Sequence, residues 1–371
     1  MKNEITTFND DFNKSCFRTP EKTAMKKIGP NIPCFLLLVL LLSACNSKGP
    51  DLEKTTAASA EKTAYALVIH GGAGTLLKSE MTPEQEAAYL QVLNAALDAG
   101  EKTLQEGGSA LSAVEKVIAL MEDSPLFNAG VGAVFTHDGL VEHDASVMDG
   151  SSGKAGALAG VRTIKNPIRA AIAVMEQSNH VLLSGRGAEQ FARSVGLDTV
   201  ANTHFHTEKR RQALEKAKAA EAGTGLLSSP LTDGKFGTVG CVALDQSGNI
   251  AAGTSTGGMT NKRWGRVGDS PIIGAGTWAD SEVCGVSCTG HGEFFIRQTV
   301  ARDVAARMEY LGESLEEAAG FVVHHKLVEA GGEGGLIALD NKGNVTMPFN
   351  SEGMYRGYAR PGERKVMIYK D

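Results

Sequence analysis

Cysteine is scarce where it would matter. Of the six in this 371-residue chain, Cys16, Cys34 and Cys45 sit near the start, leaving Cys241, Cys284 and Cys288 for the body. An odd three makes no disulfide framework, and neither C-x-x-C nor H-E-x-x-H occurs to suggest zinc. His204/His206 and His324/His325 do not cluster with cysteines or carboxylates, so no transition metal is expected. The chain also lacks a Lys/Arg stripe and carries a net charge of −6, which removes the electrostatic footprint of a nucleic-acid binder. What it has in excess is glycine, 44 residues, well above the usual share of about 7%. They follow no period and fill no single low-complexity tract. With 42% hydrophobic residues the chain can bury a core, which excludes disorder and a collagen-like fibre.

The apolar run Phe35 to Leu42 is too short for a stable membrane span. It follows the basic start Met25-Lys26-Lys27 and ends in Leu42-Ser43-Ala44-Cys45, the layout of a secretory signal. The cysteine directly after Leu-Ser-Ala resembles the bacterial lipoprotein signal, which implies a lipid on Cys45 and a cut before it. On that reading residues 1–44 are the signal peptide, 1–24 being an over-long start. Asn46 in place of Asp implies an outer-membrane anchor facing the periplasm, with the membrane met by lipid alone. Residues 45–63 are small, polar and charged and read as a flexible tether, leaving 64–371 as a single domain.

The folded body should open with a strand, Tyr65 to Ile69, running into His70-Gly71-Gly72-Ala73-Gly74. Thr82-Pro83-Glu84-Gln85 supplies an N-cap, a first-turn proline and a capping-box Gln for a helix to about Gly107. Leu111, Val114, Val117, Ile118 and Met121 recur at helical spacing and predict a second helix. A further helix is expected near Val181 to Val195, one from Glu293 to Tyr310, and one capped by Ser314 with Glu317. Ala213 to Lys235 shows no apolar period beyond its first turns and reads as a mobile segment. Val242 to Ile250 resembles Ile337 to Val345, each a strand, a Gly-Asn turn and a strand, which points to antiparallel sheets. Strands and helices arriving in blocks argue for a layered α+β domain.

Two nucleophiles offer themselves. Gly253-Thr254-Ser255-Thr256-Gly257 matches G-x-S-x-G, and His70-Gly71-Gly72 is superficially similar to an esterase oxyanion loop. That elbow needs a helix at once, whereas Gly258-Met259-Thr260-Asn261-Lys262-Arg263-Trp264-Gly265 shows two glycines and no apolar period. The second is Thr238, at the head of a strand after Gly237. A threonine hydroxyl is weak without a base, and a chain-terminal threonine carries one in its α-amine, which titrates at about 7.7 to 8.0 when unperturbed. Such a mechanism requires the Gly237–Thr238 bond to be cut, and a residue without Cβ at 237 suits the strained backbone that step needs.

The motifs His70-Gly71-Gly72-Ala73-Gly74, Pro125 to Gly132, Asp144-Ala145-Ser146-Val147-Met148-Asp149-Gly150, Gly237-Thr238-Val239-Gly240, Thr254 to Gly258, Gly265 to Pro271 and Cys288 to Glu293, in this order, resemble the plant-type asparaginase and isoaspartyl peptidase family. The resemblance covers about Ala66 to Met367. It implies a four-layer αββα sandwich of the N-terminal-nucleophile hydrolase type, self-cleaved into 45–237 and 238–371, the two chains staying together as a dimer of such heterodimers. Carried over by position, Thr238 is the nucleophile and Thr256 orients it. Thr289 and the Gly290 N–H form the oxyanion hole. Arg266 takes a substrate α-carboxylate and Asp269 its α-ammonium, with Gly290 and Asn128 helping at the site. The family's sodium, held by backbone carbonyls, maps to Met121, Glu122, Ser124, Phe127, Ala129 and Val131, and no cofactor is implied for catalysis.

Singly, Arg266 and Asp269 read as a local ion pair and each threonine as a satisfied strand hydroxyl. Together they describe a site for a free amino-acid backbone whose side-chain acyl group is attacked, with L-asparagine and β-aspartyl (isoaspartyl) peptides as substrates. Glycosylasparaginase relatives usually carry Asn at the position of Gly257 and Asp at that of Gly237, so both positions favour the isoaspartyl peptidase branch. A non-catalytic amino-acid-binding lipoprotein is the competing class, motivated by the leader and the Arg266/Asp269 pair. Trp264 stands where relatives vary and bears on which peptides fit.

Overall fold

The computed structural model describes residues 65–224 and 237–370. The leader, Cys45, the tether and the stretch 225–236 lie outside the described residues. In chain order the elements are β1 (Ala66–Gly74), α1 (Pro83–Gln105), α2 (Ala110–Glu122), β2 (His143–Asp149), β3 (Ala155–Val161), α3 (Pro167–Gln177), β4 (Leu182–Ser184), α4 (Gly185–Ser194) and α5 (Glu208–Thr224). After the gap come β5 (Thr238–Leu244), β6 (Ile250–Thr256), β7 (Thr277–Asp280), β8 (Cys284–Gly290), α6 (Gly292–Gln298), α7 (Val300–Leu311), α8 (Leu315–Phe321), β9 (Gly334–Asp340), β10 (Val345–Thr346), β11 (Gly353–Arg360) and β12 (Glu363–Tyr369).

Eight strands form one sheet in the order β12-β11-β1-β5-β6-β2-β3-β4, and four form a second, β10-β9-β8-β7. All strand pairs are antiparallel except β3 with β4. Alternation along the strands sorts the side chains into layers. Leu67, Ile69, Val239, Cys241, Ala243 and Ala251 pack with Leu93, Val114, Val117 and Ile168 of α1, α2 and α3. Ala66, Val68, Val242, Leu244, Ile250 and Ala252 point the other way, onto Ile337 and Leu339 of the smaller sheet. That sheet turns Cys284, Val286, Cys288, Leu336 and Ala338 toward α7 and α8. The result is the αββα sandwich, and β1 is buried over its whole length because both faces and both edges are covered.

The capping box at Thr82/Gln85 forms in both directions, as does that at Ser314/Glu317. Cys241, Cys284 and Cys288 are buried free thiols. Four expectations change in detail. The segment after Ala213 is helical through Thr224: Ala, Lys and Glu favour helix without an apolar stripe, and α5 is pinned by buried Leu214, by Arg210 Nε donating to the Gly132 carbonyl at 2.7 Å, and by Glu221 gripping Arg263. The stretch from Val181 opens with β4 before the helix begins at Gly185. The helix from Glu293 is two, broken at Thr299, whose φ of 47° lies in the left-handed region. Both echoing hairpins turn around an aspartate: Asp245 Oδ1 accepts from the Ser247 and Asn249 N–H, and Asp340 Oδ1 from those of Lys342 and Asn344.

Candidate active site

Thr238 opens β5 and Thr256 closes β6, and the register sets them opposite each other. Both side chains face the space between the sheets, and Thr238 Oγ1 donates to Thr256 Oγ1 at 3.1 Å. Thr256 Oγ1 also accepts from the Gly258 N–H at 3.0 Å, so its position is set from its own loop. The 125–134 segment lies alongside. Asn128 Nδ2 donates to the Gly258 carbonyl at 2.7 Å, its Oδ1 accepts from the Val134 N–H at 2.9 Å, and its carbonyl accepts from the Gly257 N–H. Gly237 packs against it so closely that a Cβ at 237 would lie 2.9 Å from Asn128 Cβ.

Arg266 and Asp269 sit on the loop after β6 and do not pair with one another. The Arg266 fork goes to Glu293, Nε and Nη2 donating to the two carboxylate oxygens at 2.9 and 3.1 Å. Burial raises the Glu293 carboxyl, but the guanidinium outweighs it and holds the group below its ordinary value. Asp269 is buried, its Oδ2 has no hydrogen-bond partner among the described residues, and burial, only partly offset by Arg266, pushes its pKa up to about 7. A buried carboxylate oxygen without a donor is costly, and a cationic ligand would relieve it. Gly292 completes this corner. A Cβ there would lie 2.8 Å from Arg266 Nη2 and 3.0 Å from Asp269 Oδ1, so only glycine lets α6 begin this close.

Thr289 and Gly290 end β8, in the smaller sheet. Thr289 faces the larger sheet, where its Oγ1 accepts from the Ala73 N–H of β1 at 3.3 Å. No direct bond joins Thr289 to Thr238 among the described residues. They are linked through β1, whose His70 Nδ1 donates to the Thr238 carbonyl at 2.9 Å.

His70, Gly292 and Glu293 lie inside the quoted motifs, yet the sequence assigns them no role at the threonine site. The available signal was His70 itself, a titratable residue in a strand otherwise apolar up to its glycines. Asp144 belongs to the same class. It is opposite Thr256 on β2, its Oδ1 accepts from the Gly160 N–H at 2.8 Å, its Oδ2 has no hydrogen-bond partner among the described residues, and burial raises its pKa despite Lys262. Ser255, the serine of the apparent elbow, points to the helix layer, where its hydroxyl donates to Glu122 Oε1 at 2.6 Å. It lies on the opposite face of β6 from Thr256, and no helix follows it.

A buried threonine heading a central strand of the larger sheet in an αββα sandwich places the chain among the N-terminal-nucleophile hydrolases. The asparaginase family matches residues 63–368, and the chain belongs to it. It is 52% identical over 308 residues to an isoaspartyl peptidase of Salmonella typhimurium, covering 82% of this chain and 98% of that protein. It is 45% identical over 327 residues to a probable isoaspartyl peptidase/L-asparaginase of Arabidopsis thaliana, covering 82% and 99%, and 39% identical over 323 residues to an isoaspartyl peptidase/L-asparaginase of Rattus norvegicus, covering 87% and 94%.

Proposed function

We propose that the protein hydrolyses L-asparagine and β-aspartyl peptides, releasing L-aspartate, with Thr238 as a nucleophile freed by self-cleavage. The observation that carries this is the facing pair Thr238/Thr256 with an unpartnered buried carboxylate and an arginine fork on the next loop. In maturation the Thr238 Oγ attacks the Gly237 carbonyl carbon, the peptide nitrogen leaves as the threonine amine, and water hydrolyses the resulting ester. In turnover that amine takes the Oγ proton as Oγ attacks the side-chain carbonyl of the substrate. Thr289 and the Gly290 N–H receive the oxyanion, a donor typically contributing about 2.7 to 4 kcal/mol. The amine returns its proton to the departing ammonia or peptide amine, and water clears the β-aspartyl ester. Arg266 exchanges Glu293 for the substrate α-carboxylate, and Asp269 takes the α-ammonium.

The 121–131 loop supports the sodium site. The Ser124 and Phe127 carbonyls accept no backbone hydrogen bond among the described residues, and a Cβ at Gly130 or Gly132 would collide with the Glu122 or Phe127 carbonyl oxygen. A loop that crowds carbonyls together and leaves those of Ser124 and Phe127 without a backbone donor suits a hard cation, held by Met121, Glu122, Ser124, Phe127, Ala129 and Val131. It would fix the loop that carries Asn128. Lipid attachment at Cys45, an outer-membrane anchor facing the periplasm and a dimer of two-chain units complete the proposal.

Mass spectrometry of the purified protein with aspartate-release assays tests the core. The wild type is expected as fragments ending at 237 and beginning at 238, and Thr238→Ala as one inactive chain. An uncut wild type that turns over asparagine would refute the α-amine as base.

A further inference from the structure

A run of polar side chains crosses the space between the two sheets. His70 Nδ1 is 2.9 Å from the Thr238 carbonyl, and its Nε2 is 3.0 Å from Ser287 Oγ on β8. Ser287 Oγ is 2.7 Å from Thr254 Oγ1, which is 2.6 Å from Thr277 Oγ1 on β7. Ser146 Oγ on β2 lies 2.8 Å from Thr277 Oγ1 and 2.6 Å from the Ser270 carbonyl, one residue from Asp269. All five side chains are fully buried. The passage exists because residue 240 is glycine: a Cβ there would collide with both Ser287 Oγ and His70 Nε2.

We propose that His70, Ser287, Thr254, Thr277 and Ser146 are positioning residues forming one relay that sets the nucleophile, through the Thr238 carbonyl, against the ammonium-binding Asp269, through the Ser270 carbonyl. This rests on the roles given above to Thr238 and Asp269. It assigns a task to the His70 motif, to Ser146 of the Asp144–Gly150 motif and to the first threonine of Thr254–Gly258.

The hydrogens give the relay its character. Both ends are carbonyls, which only accept, so the six contacts need six hydrogens. Four hydroxyls and a neutral imidazole carry five. Burial holds His70 neutral, pushing its pKa down to about 3 against the pull of the Thr238 carbonyl. Thr254 also lies 3.2 Å from the Gly276 carbonyl, a further acceptor. His70 must therefore carry its hydrogen on Nδ1, and at least one contact farther along lacks one. Deleting a single hydroxyl then strands no donor and only one acceptor, His70 Nε2 for Ser287 or the Ser270 carbonyl for Ser146, so the two alanine variants release opposite ends at a limited cost to the fold.

Kinetics normalised to the cleaved fraction of each variant read the relay out. Ser287→Ala is expected to lower kcat about tenfold with KM nearly unchanged, and Ser146→Ala to raise KM about tenfold with kcat nearly unchanged, each the scale of one buried hydrogen bond. Ser287→Thr, which retains the hydroxyl, restores kcat. Nitrogen-15 NMR of the histidine-labelled wild type should show His70 hydrogenated on Nδ1 and bare on Nε2. Variants matching wild type in both constants, or both losing only their folded fraction, would overturn the relay, as would an Nε2–H tautomer. A wild type inactive on asparagine and β-aspartyl peptides would instead refute the function proposed above.

Discussion

If Arg266 takes the substrate α-carboxylate as proposed, its pairing with Glu293 makes the enzyme's own carboxylate a competitor of the substrate. Glu293→Gln keeps the shape of the side chain and one acceptor but removes the charge. The contact is two-pronged, at 2.9 and 3.1 Å, with the arginine side chain 19% exposed and the glutamate 40% exposed. Solvent screening at that exposure holds such a pair to about 1 kcal/mol at most, and the fork geometry places it near that upper end. On that assignment a substrate α-carboxylate has to displace Glu293, so lifting about 1 kcal/mol of competition lowers KM by roughly fivefold, less what the Gln oxygen still accepts. Asparagine and β-aspartyl dipeptides share the α-carboxylate, so both KM values should fall together. Initial rates of aspartate release, normalised to cleaved enzyme, give the answer. A KM that stays put while kcat falls would refute the argument, because Glu293 would then serve the chemical step rather than occupy the arginine.

Three other expectations concern Asp269, Glu122 and the sodium loop. If Asp269 takes the substrate ammonium group as proposed, it must be ionised to do so, and its pKa is raised to about 7, so kcat/KM should climb through about pH 7. Asp269→Asn should leave only the rise set by the Thr238 α-amine and raise KM at least tenfold, and an unaltered pH profile would refute the assignment. Burial raises the Glu122 carboxyl to about 8, beyond what its bonds from Ser255 and the Ile168 N–H recover. The native state therefore holds a proton that the unfolded chain releases near its ordinary pKa, and stability falls as pH rises between the two values. Glu122→Gln should flatten the decline of Tm between about pH 5 and 8, and parallel Tm curves would count against it. Exchanging sodium for a large organic cation should lower Tm and slow turnover, with sodium restoring both; no response to sodium would remove the site.

Local rules made much of the fold readable. Thr82 and Ser314 state their helices outright, because a capping box is written within four residues. The two hairpins repeat visibly, although aspartate rather than Gly-Asn organises the turns. The candidate site was legible where a motif keeps its members adjacent, as at Gly237-Thr238 or from Arg266 to Asp269. It was obscure where the members are far apart. Glu293 reaches Arg266 across 27 positions, and His70 reaches Ser287 across 217. Only composition favoured a helix in α5, with no apolar stripe to mark it, since its anchors, Gly132 and Arg263, belong to other segments. Trp264, 87% exposed with a φ of 55°, is a strained aromatic two residues before Arg266, and no contact among the described residues explains it.

The strand order has a consequence for the life of the molecule. Cut at Gly237, the larger sheet would read, edge to edge, two strands of the second chain, one of the first, two of the second and three of the first. The chains would thus be interlaced, sharing the seams β11–β1, β1–β5 and β6–β2. Neither could leave without opening three rows of backbone hydrogen bonds, so the cut should cost the native state little. Regaining that state is another matter. The uncut chain finds it as one molecule, whereas the cut pair must meet in solution and weave a shared sheet from separate threads. Maturation would turn a folding problem into an assembly problem, so that the active enzyme persists by never letting go rather than by its ability to form again.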